Sequence, residues 1–302
     1  MTHFIAIPYF SQAEYLREAV LSVVTQTEAD WHLAVLDDST LPTETAQAQQ
    51  VCKEIQQQHP DLKIQYIRNS QNLGMARNWN QALQLGSVFE RTTILHSDDR
   101  LLPHYVKSMK EASLHAPDVS VFFCKTQIID QNGNLKFSFP DRYKDTLLPQ
   151  GNFWTLEGAS GIEKLIRGNF IFCPTLCFVN RKTQSIRFNE SKKMVPDFEL
   201  ILELLLSGHQ LGALYSIPLY EYRRHSQNTT QHLTQNLVRF HEERDLYLDL
   251  AEKLKQRGDS AASRRAGQMR IIKLNLIFLC AQALIRGNWV TLKRFLGFLR
   301  EL

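Results

Sequence analysis

Two periods alternate along the first hundred residues. The apolar run Phe4–Phe10 predicts a short buried strand that stops at Pro8-Tyr9-Phe10. From Glu14 to Gln26, Leu16, Ala19, Val20, Val23 and Val24 share one stripe at helical spacing. His32–Leu36 then predicts a strand ending at Asp37-Asp38, and the polar stretch Thr43–Gln58 a helix. Lys63–Ile67, Met75–Leu85 and Thr92–His96 continue the series as strand, helix and strand, the last ending at Ser97-Asp98-Asp99. Strands separated by helices of this length pair in parallel, which predicts a doubly wound α/β sheet. Ligands of such sheets sit at the carboxyl ends of the strands, so Pro8-Tyr9, Asp37-Asp38 and Asp98-Asp99 are where chemistry is expected.

The pattern then changes. Val119–Ile129 and Leu135–Phe139 flank Asp130–Asn134, whose Asn-Gly pair predicts a hairpin turn. Phe170–Val179 reads as one buried strand, Asp197–Leu206 as a helix and Leu219–Arg223 as a last strand. Phe153 and Trp154 fall in a loop-like stretch. Beyond His225 the spacing is helical to the end, with a break at Gly258–Ser260. The predicted division is 1–230 for the α/β domain, with a nucleotide-binding half 1–115 and an acceptor-binding half 116–230, and 231–302 for a C-terminal helical region.

Composition narrows the class. Among 302 residues, 43% are apolar and 22% charged, enough for a core and against disorder. Five cysteines, with no Cys-x-x-Cys and no His-Glu-x-x-His, argue against a disulfide scaffold or a zinc protease. The start lacks the pattern of a signal peptide, and the apolar run Leu274–Ile285 is shorter than the roughly 20 residues a membrane span needs. A protein of a reducing compartment, the cytoplasm, is therefore expected.

Charge is uneven. Residues 251–302 hold eleven bases and three acids, a net +8, whereas residues 1–250 hold twenty-four bases and twenty-eight acids, a net −4. In the tail, Arg286, Lys293 and Arg300 recur every seven residues beside a stripe of Trp289, Leu292, Phe295, Leu296 and Leu299. That pattern suits contact with the inner face of a membrane, or self-association or packing on the main domain. Cations interleaved with Leu and Phe do not suit nucleic acid.

Neighbouring acids repel and raise each other's pKa unless a cation or donors hold them. One Asp-Asp pair at a strand end could simply cap a helix, but two pairs on one sheet edge favour a site. Neither Gly-x-x-x-x-Gly-Lys nor Gly-x-Gly-x-x-Gly occurs, so phosphate has no glycine-rich cradle. Acids still reach phosphate through Mg²⁺ or Mn²⁺, which points to a nucleotide-diphosphate donor.

The segments Ile7–Phe10, Tyr15-Leu16, Ser22–Thr27 and Val35–Ser39 resemble the opening of family 2 glycosyltransferases. Asn72–Asn80, Leu95–Asp99 with Pro103, Pro196–Leu200 with Gly208, and Pro218–Ser226 follow in the family's order. The resemblance implies a GT-A fold and inverting transfer of a sugar from a nucleotide donor to a glycan or lipid-linked glycan, in surface polysaccharide synthesis. It places Pro8, Tyr9, Phe10 and Asp38 at the base and ribose, with Asp38 on the imide of a UDP-sugar. Arg77, Asn78 and Ser97 would line the nucleotide-sugar site. Asp98 and Asp99 would hold ribose and a divalent metal, Mn²⁺ or Mg²⁺, together with His225. Arg223 or Arg224 would close over the diphosphate, and Asp197 would be the catalytic base. The sequence departs from the pattern at the first acid of the Asp-x-Asp motif, where His96 stands. A nucleotidyltransferase or an inactive glycan-binding relative are the alternatives. Trp79 could stack on a base or pack a helix face.

Overall fold

The computed structural model describes residues 3–137, 146–149, 151–225 and 233–302. Four parallel strands open the chain: β1 (His3–Tyr9), β2 (Trp31–Asp37), β3 (Ile64–Arg68) and β4 (Arg91–Ile94), in the order β3-β2-β1-β4. The helices between them are α1 (Ala13–Val24), α2 (Pro42–Gln58) and α3 (Met75–Gly86). Alternate residues of β1 face opposite sides. Ile5 and Ile7 pack with Leu16, Val20 and Val23 of α1, and Phe4 and Ala6 pack with Ala82 and Leu83 of α3. A sheet covered on both faces needs such continuous apolar strands, which is why the first-third pattern is legible.

The short β5 (Arg100–Leu101) follows β4 directly, and α4 (Tyr105–His115) leads to β6 (Val119–Cys124) and β7 (Thr126–Ile129). The predicted turn forms: the Asp130 N–H donates to the Asn134 carbonyl at 2.8 Å, and Gly133 takes φ +83°. Its return arm pairs with Ile129 at Leu135, and Phe139 lies outside the described residues. Residues 153–156 form β8 (Phe153–Leu156), not a loop, followed by α5 (Gly158–Leu165). Trp154 packs edge-on to Phe123 at 5.5 Å and to Phe170 at 5.9 Å.

Phe170–Val179 is not one strand. Pro174 lacks the N–H a ladder needs, so Cys173–Thr175 is a 3₁₀ turn and the part that joins the sheet is β9 (Cys177–Val179). β9 runs antiparallel between β4 and β6. α6 (Pro196–Leu206), β10 (Gln210–Leu214) and β11 (Tyr220–Arg223) follow. The main sheet ends β4-β9-β6-β10-β8, and a second sheet has the order β5-β11-β7.

The C-terminal part holds α7 (Val238–Gln256), α8 (Ser260–Gly267), α9 (Arg270–Ile285) and α10 (Trp289–Glu301). Their buried faces join the main core on the α3 side of the sheet. Tyr247 donates to the Ile166 carbonyl at 3.2 Å, and Lys253 pairs with Glu203 at 2.5 Å. The Glu242 carboxylate accepts the backbone N–H groups of Lys193, Met194 and Val195 at 2.8–3.3 Å, directly before α6. Phe295 and Phe298 of α10 pack on Phe240, so much of the tail's apolar stripe is spent on the protein itself.

Candidate active site

The carboxyl ends of β1, β2 and β4 meet as predicted, but their acids have different jobs. Asp37 is fully buried and accepts from Tyr66 Oη at 2.5 Å and Ser39 N at 2.8 Å, with an Arg68 nitrogen 3.0 Å away. Burial pushes its pKa up, but Tyr66, Ser39 and Arg68 outweigh that and hold it below the usual range. Asp38 is also buried, and each of its oxygens takes two donors. Oδ1 accepts from Asn69 Nδ2 at 2.9 Å and Leu73 N at 2.7 Å. Oδ2 accepts from Asn72 Nδ2 at 3.0 Å and Gly74 N at 2.9 Å. Gly74 sits at φ +80°, a conformation that favours glycine and turns its N–H onto the carboxylate. Asp38 therefore shapes the 69–74 loop, and a base's imide would be its fifth donor.

Around it, Tyr9 is buried with its hydroxyl on Glu44, Pro8 is half-buried, and Phe10 is 55% exposed at the mouth. Glu44 also accepts the Gln12 N–H at 3.0 Å, holding Gln12 at φ +71°, where a residue with a Cβ is strained. Asn78 is buried and donates to the Leu36 carbonyl at 3.1 Å, so it supports the loop from behind. Arg77 points away from the acids and pairs with Glu190 at 2.8 Å, in a groove lined also by Arg68, Leu73 and Phe188.

After β4, His96, Asp98 and Asp99 offer ligand atoms within 4.8 Å of one another, and His225 Nε2 lies 3.0 Å from Asp98 Oδ2. Ser97 is half-exposed between the motif residues. The two aspartates differ sharply. Asp99 is buried, and its carboxylate accepts the Arg223 N–H at 2.7 Å and the Tyr220 hydroxyl at 2.9 Å, clamping β4's exit to β11. Burial and then the Asp98 charge raise its pKa well above the ordinary range. Asp98 is the partly exposed one. Burial pushes its pKa up, but the His225 contact and the neighbouring imidazoles hold it low, so it is the ionised member of the pair.

His96 stacks on Trp79 with centroids 5.4 Å apart, which settles Trp79 as a packing residue. Burial lowers the His96 pKa, against the opposing pull of the Asp98 charge. Its Nδ1 is 3.9 Å from Asp99 Oδ2, and among the described residues its buried Nε2 has no hydrogen-bond partner. An imidazole nitrogen beside the Asp98 and Asp99 carboxylates makes a donor set that fits a divalent cation.

Arg223, expected at the diphosphate, is instead fully buried. Its guanidinium binds Glu18, the Asp98 carbonyl at 2.7 Å and the Gln131 carbonyl at 3.2 Å, and lies 4.5 Å over the Tyr15 ring. A buried guanidinium needs such partners, so its job is to fix β11 against the motif. Arg224 and His225 follow it half-buried, and the Tyr15 ring lies 5.4 Å from His225. Glu18 and Tyr15, both on α1, are site-supporting residues that sequence reasoning missed. Glu18 carries no signal besides helical spacing, whereas Tyr15 lies in a segment that carries the family resemblance without a role attached to it.

Asp197 is half-buried in the first turn of α6. The charges of Asp99, Asp98 and Asp197 all reach Tyr222, whose pKa is raised first by burial and then by these acids. Cys173 is raised likewise, by burial and then by Asp197 and Asp99. Asp197, about a hundred residues on in sequence, thus acts on the same two side chains, Tyr222 and Cys173, as Asp99 does.

A doubly wound sheet with an Asp-Asp turn at one strand end and an acid–imidazole cluster at the next defines a GT-A fold. The sequence profile described as glycosyl transferase family 2 matches residues 4–182, and the chain belongs to that family. An uncharacterized glycosyltransferase of Methanocaldococcus jannaschii is 29% identical over 137 residues, 45% of this chain and 45% of its own length. The chain thus spans about half of that curated relative. Among solved structures, S. aureus TarS 1-349 with UDP-GlcNAc aligns with a TM-score of 0.60 at 17% identity, covering 84% of this chain and 66% of that one. A mannosyltransferase of Pyrobaculum calidifontis, in complex with GDP-Man and Mn²⁺, aligns at 0.57 and 15% identity, covering 99% and 85%.

Proposed function

We propose that the protein transfers a sugar, with inversion, from a nucleotide-diphosphate donor, a UDP-sugar first among them, to a hydroxyl of a glycan or glycolipid acceptor. Surface polysaccharide synthesis on the cytoplasmic side is the setting that reading implies. The observation that carries it is the grouping of His96, Asp98 and Asp99, with His225 on Asp98, at the carboxyl edge of the sheet. The bound neighbours UDP-GlcNAc, and GDP-Man with Mn²⁺, support a donor of this class in a cleft of this fold.

Asp98, Asp99 and His225, with His96 in the same cluster, would hold the divalent cation, which when bound neutralises charge on the departing diphosphate. Asp99 and Arg223 hold the strand ends that aim these groups. The 69–74 loop shaped by Asp38, with the exposed Phe10 ring, forms the wall for base and ribose, and Arg224 adds positive charge on the diphosphate side. Asp197 takes the proton of the acceptor hydroxyl on the face opposite the leaving group, the single base that an in-line displacement requires. No acid is needed for departure, unlike glycoside hydrolysis.

The test is donor turnover with UDP- and GDP-sugars, with and without Mn²⁺. Nucleotide-sugar hydrolysis that needs Mn²⁺ supports the reading. Asp197→Asn should keep donor affinity and lose about 10²–10⁴ in turnover, the usual worth of a general base. Normal turnover by that variant refutes the assignment of the base.

A further inference from the structure

The C-terminal helices present an apolar face that the fold leaves uncovered. On α9, Ile272, Leu276, Cys280 and Ala283 pack into the core. On the opposite side of the same helix, Leu274, Ile277, Phe278, Ala281, Leu284 and Ile285 are exposed, Ile285 to 84%. Their spacing of three and four residues makes this a continuous stripe, not scattered side chains. Across the turn, Trp289 and Val290 at the start of α10 and Leu296 further along are exposed as well. Isolated exposed apolar residues are ordinary, but a stripe of this length on one helix marks a contact surface.

The charges around it select the occupant. Residues 260–302 carry eight bases and one acid, a net +7. Arg265 is tied to Glu163, while Arg270, Arg286, Lys293 and Arg300 are exposed around the stripe. A second copy seated on this face would set +7 against +7. A bilayer with anionic headgroups offers apolar depth for the stripe and opposite charge for its flanks. Long cationic side chains keep their heads at the headgroups while their stems lie along the apolar face, and a tryptophan suits the boundary.

By length and composition alone, Ser260–Ile285 could also cross a membrane. Packing argues otherwise. Met269 at φ +49° breaks the stretch between α8 and α9, and one side of α9 is committed to the core. We infer that α9 and the start of α10 lie in the plane of an anionic lipid surface and hold the protein there as a peripheral membrane protein.

The experiment is sedimentation of the full chain with vesicles of phosphatidylcholine alone or mixed with phosphatidylglycerol. It uses no donor or acceptor, so it stands or falls separately from the proposed activity. Binding is expected on the mixed vesicles, weakened by salt. Lys293→Ala with Arg300→Ala should weaken it about 25-fold, from about fivefold per cation at the surface. Phe278→Glu with Ile277→Glu should abolish it while thermal melting and gel-filtration mass stay as in the wild type. Equal binding to both vesicle types, or to neither, overturns the inference. So does a dimer in solution that Phe278→Glu splits.

Discussion

The four donors on Asp38 make Asp38→Asn a sharp test of how the nucleotide-side loop is built. An amide has the carboxylate's shape but only one acceptor oxygen. Oδ1 serves Asn69 and Leu73 while Oδ2 serves Asn72 and Gly74, so either orientation of the amide points its NH₂ at two donors. Two hydrogen bonds to a charged acceptor are lost, each worth about 1.5–3 kcal/mol. Asn72 is exposed, so water recovers part of the loss, and about 3 kcal/mol remains. At roughly 2–4 °C per kcal/mol for a large domain, Tm should fall by about 6–12 °C. Differential scanning calorimetry reads this directly, and titration with UDP on the same samples reads the pocket. Both should worsen together, because the loop that shifts is the wall of the pocket. A variant that melts like the wild type but loses UDP affinity more than tenfold would falsify the loop assignment and reserve the carboxylate for the base.

Three further outcomes are expected. His96→Asp replaces the imidazole with oxygen donors and should lower the ratio of Mn²⁺ to Mg²⁺ affinity about tenfold in calorimetric titrations; an unchanged ratio removes His96 from the ligand set. Glu242→Ala takes three backbone donors off the turn before α6. It should lower kcat about tenfold, an effect of about 1.4 kcal/mol on the barrier, with donor affinity intact, and Glu242→Gln should recover most of it. His3 is buried against Thr93, and burial, with Arg91 adding to it, lowers its pKa to about 3. The unfolded chain then binds more protons between pH 6.5 and 3, so stability present above pH 6.5 drains away as pH falls through that window. His3→Gln should flatten that limb of the pH–stability curve, and an unaltered limb would show that other groups set it.

The part of the molecule legible in its sequence is the part where burial on both sheet faces forces a simple pattern. His3–Tyr9 lies where an apolar run ends at Pro8-Tyr9 and Trp31–Asp37 where one ends in an acid, and the strand-end rule finds the site from them. The rest depends on contacts distant in sequence. β10 is five residues long with Gly212 at its centre, too short to signal a strand, and β9 is what remains of an apolar run once Pro174 has interrupted it. Nothing local separates Asp98 from Asp99. What distinguishes them lies 121 and 124 residues on: Tyr220 and Arg223 hold the buried Asp99, while Asp98 stays partly exposed. Arg223 and Arg224 read as equivalent cations, yet strand alternation turns the first inward onto Glu18.

The grip of Glu242 on residues 193–195 bears on where the chain can be cut. A version stopped after residue 230 keeps Asp98, His96, His225 and Asp197, and so would pass as intact in any inventory of functional groups. It also loses the carboxylate that ties down the approach to α6 and the Phe240 and Tyr247 faces that roof it. Such a truncate should take up nucleotide and turn over slowly, which would make the last seventy residues part of the machinery and the boundary at residue 230 a change of secondary structure alone.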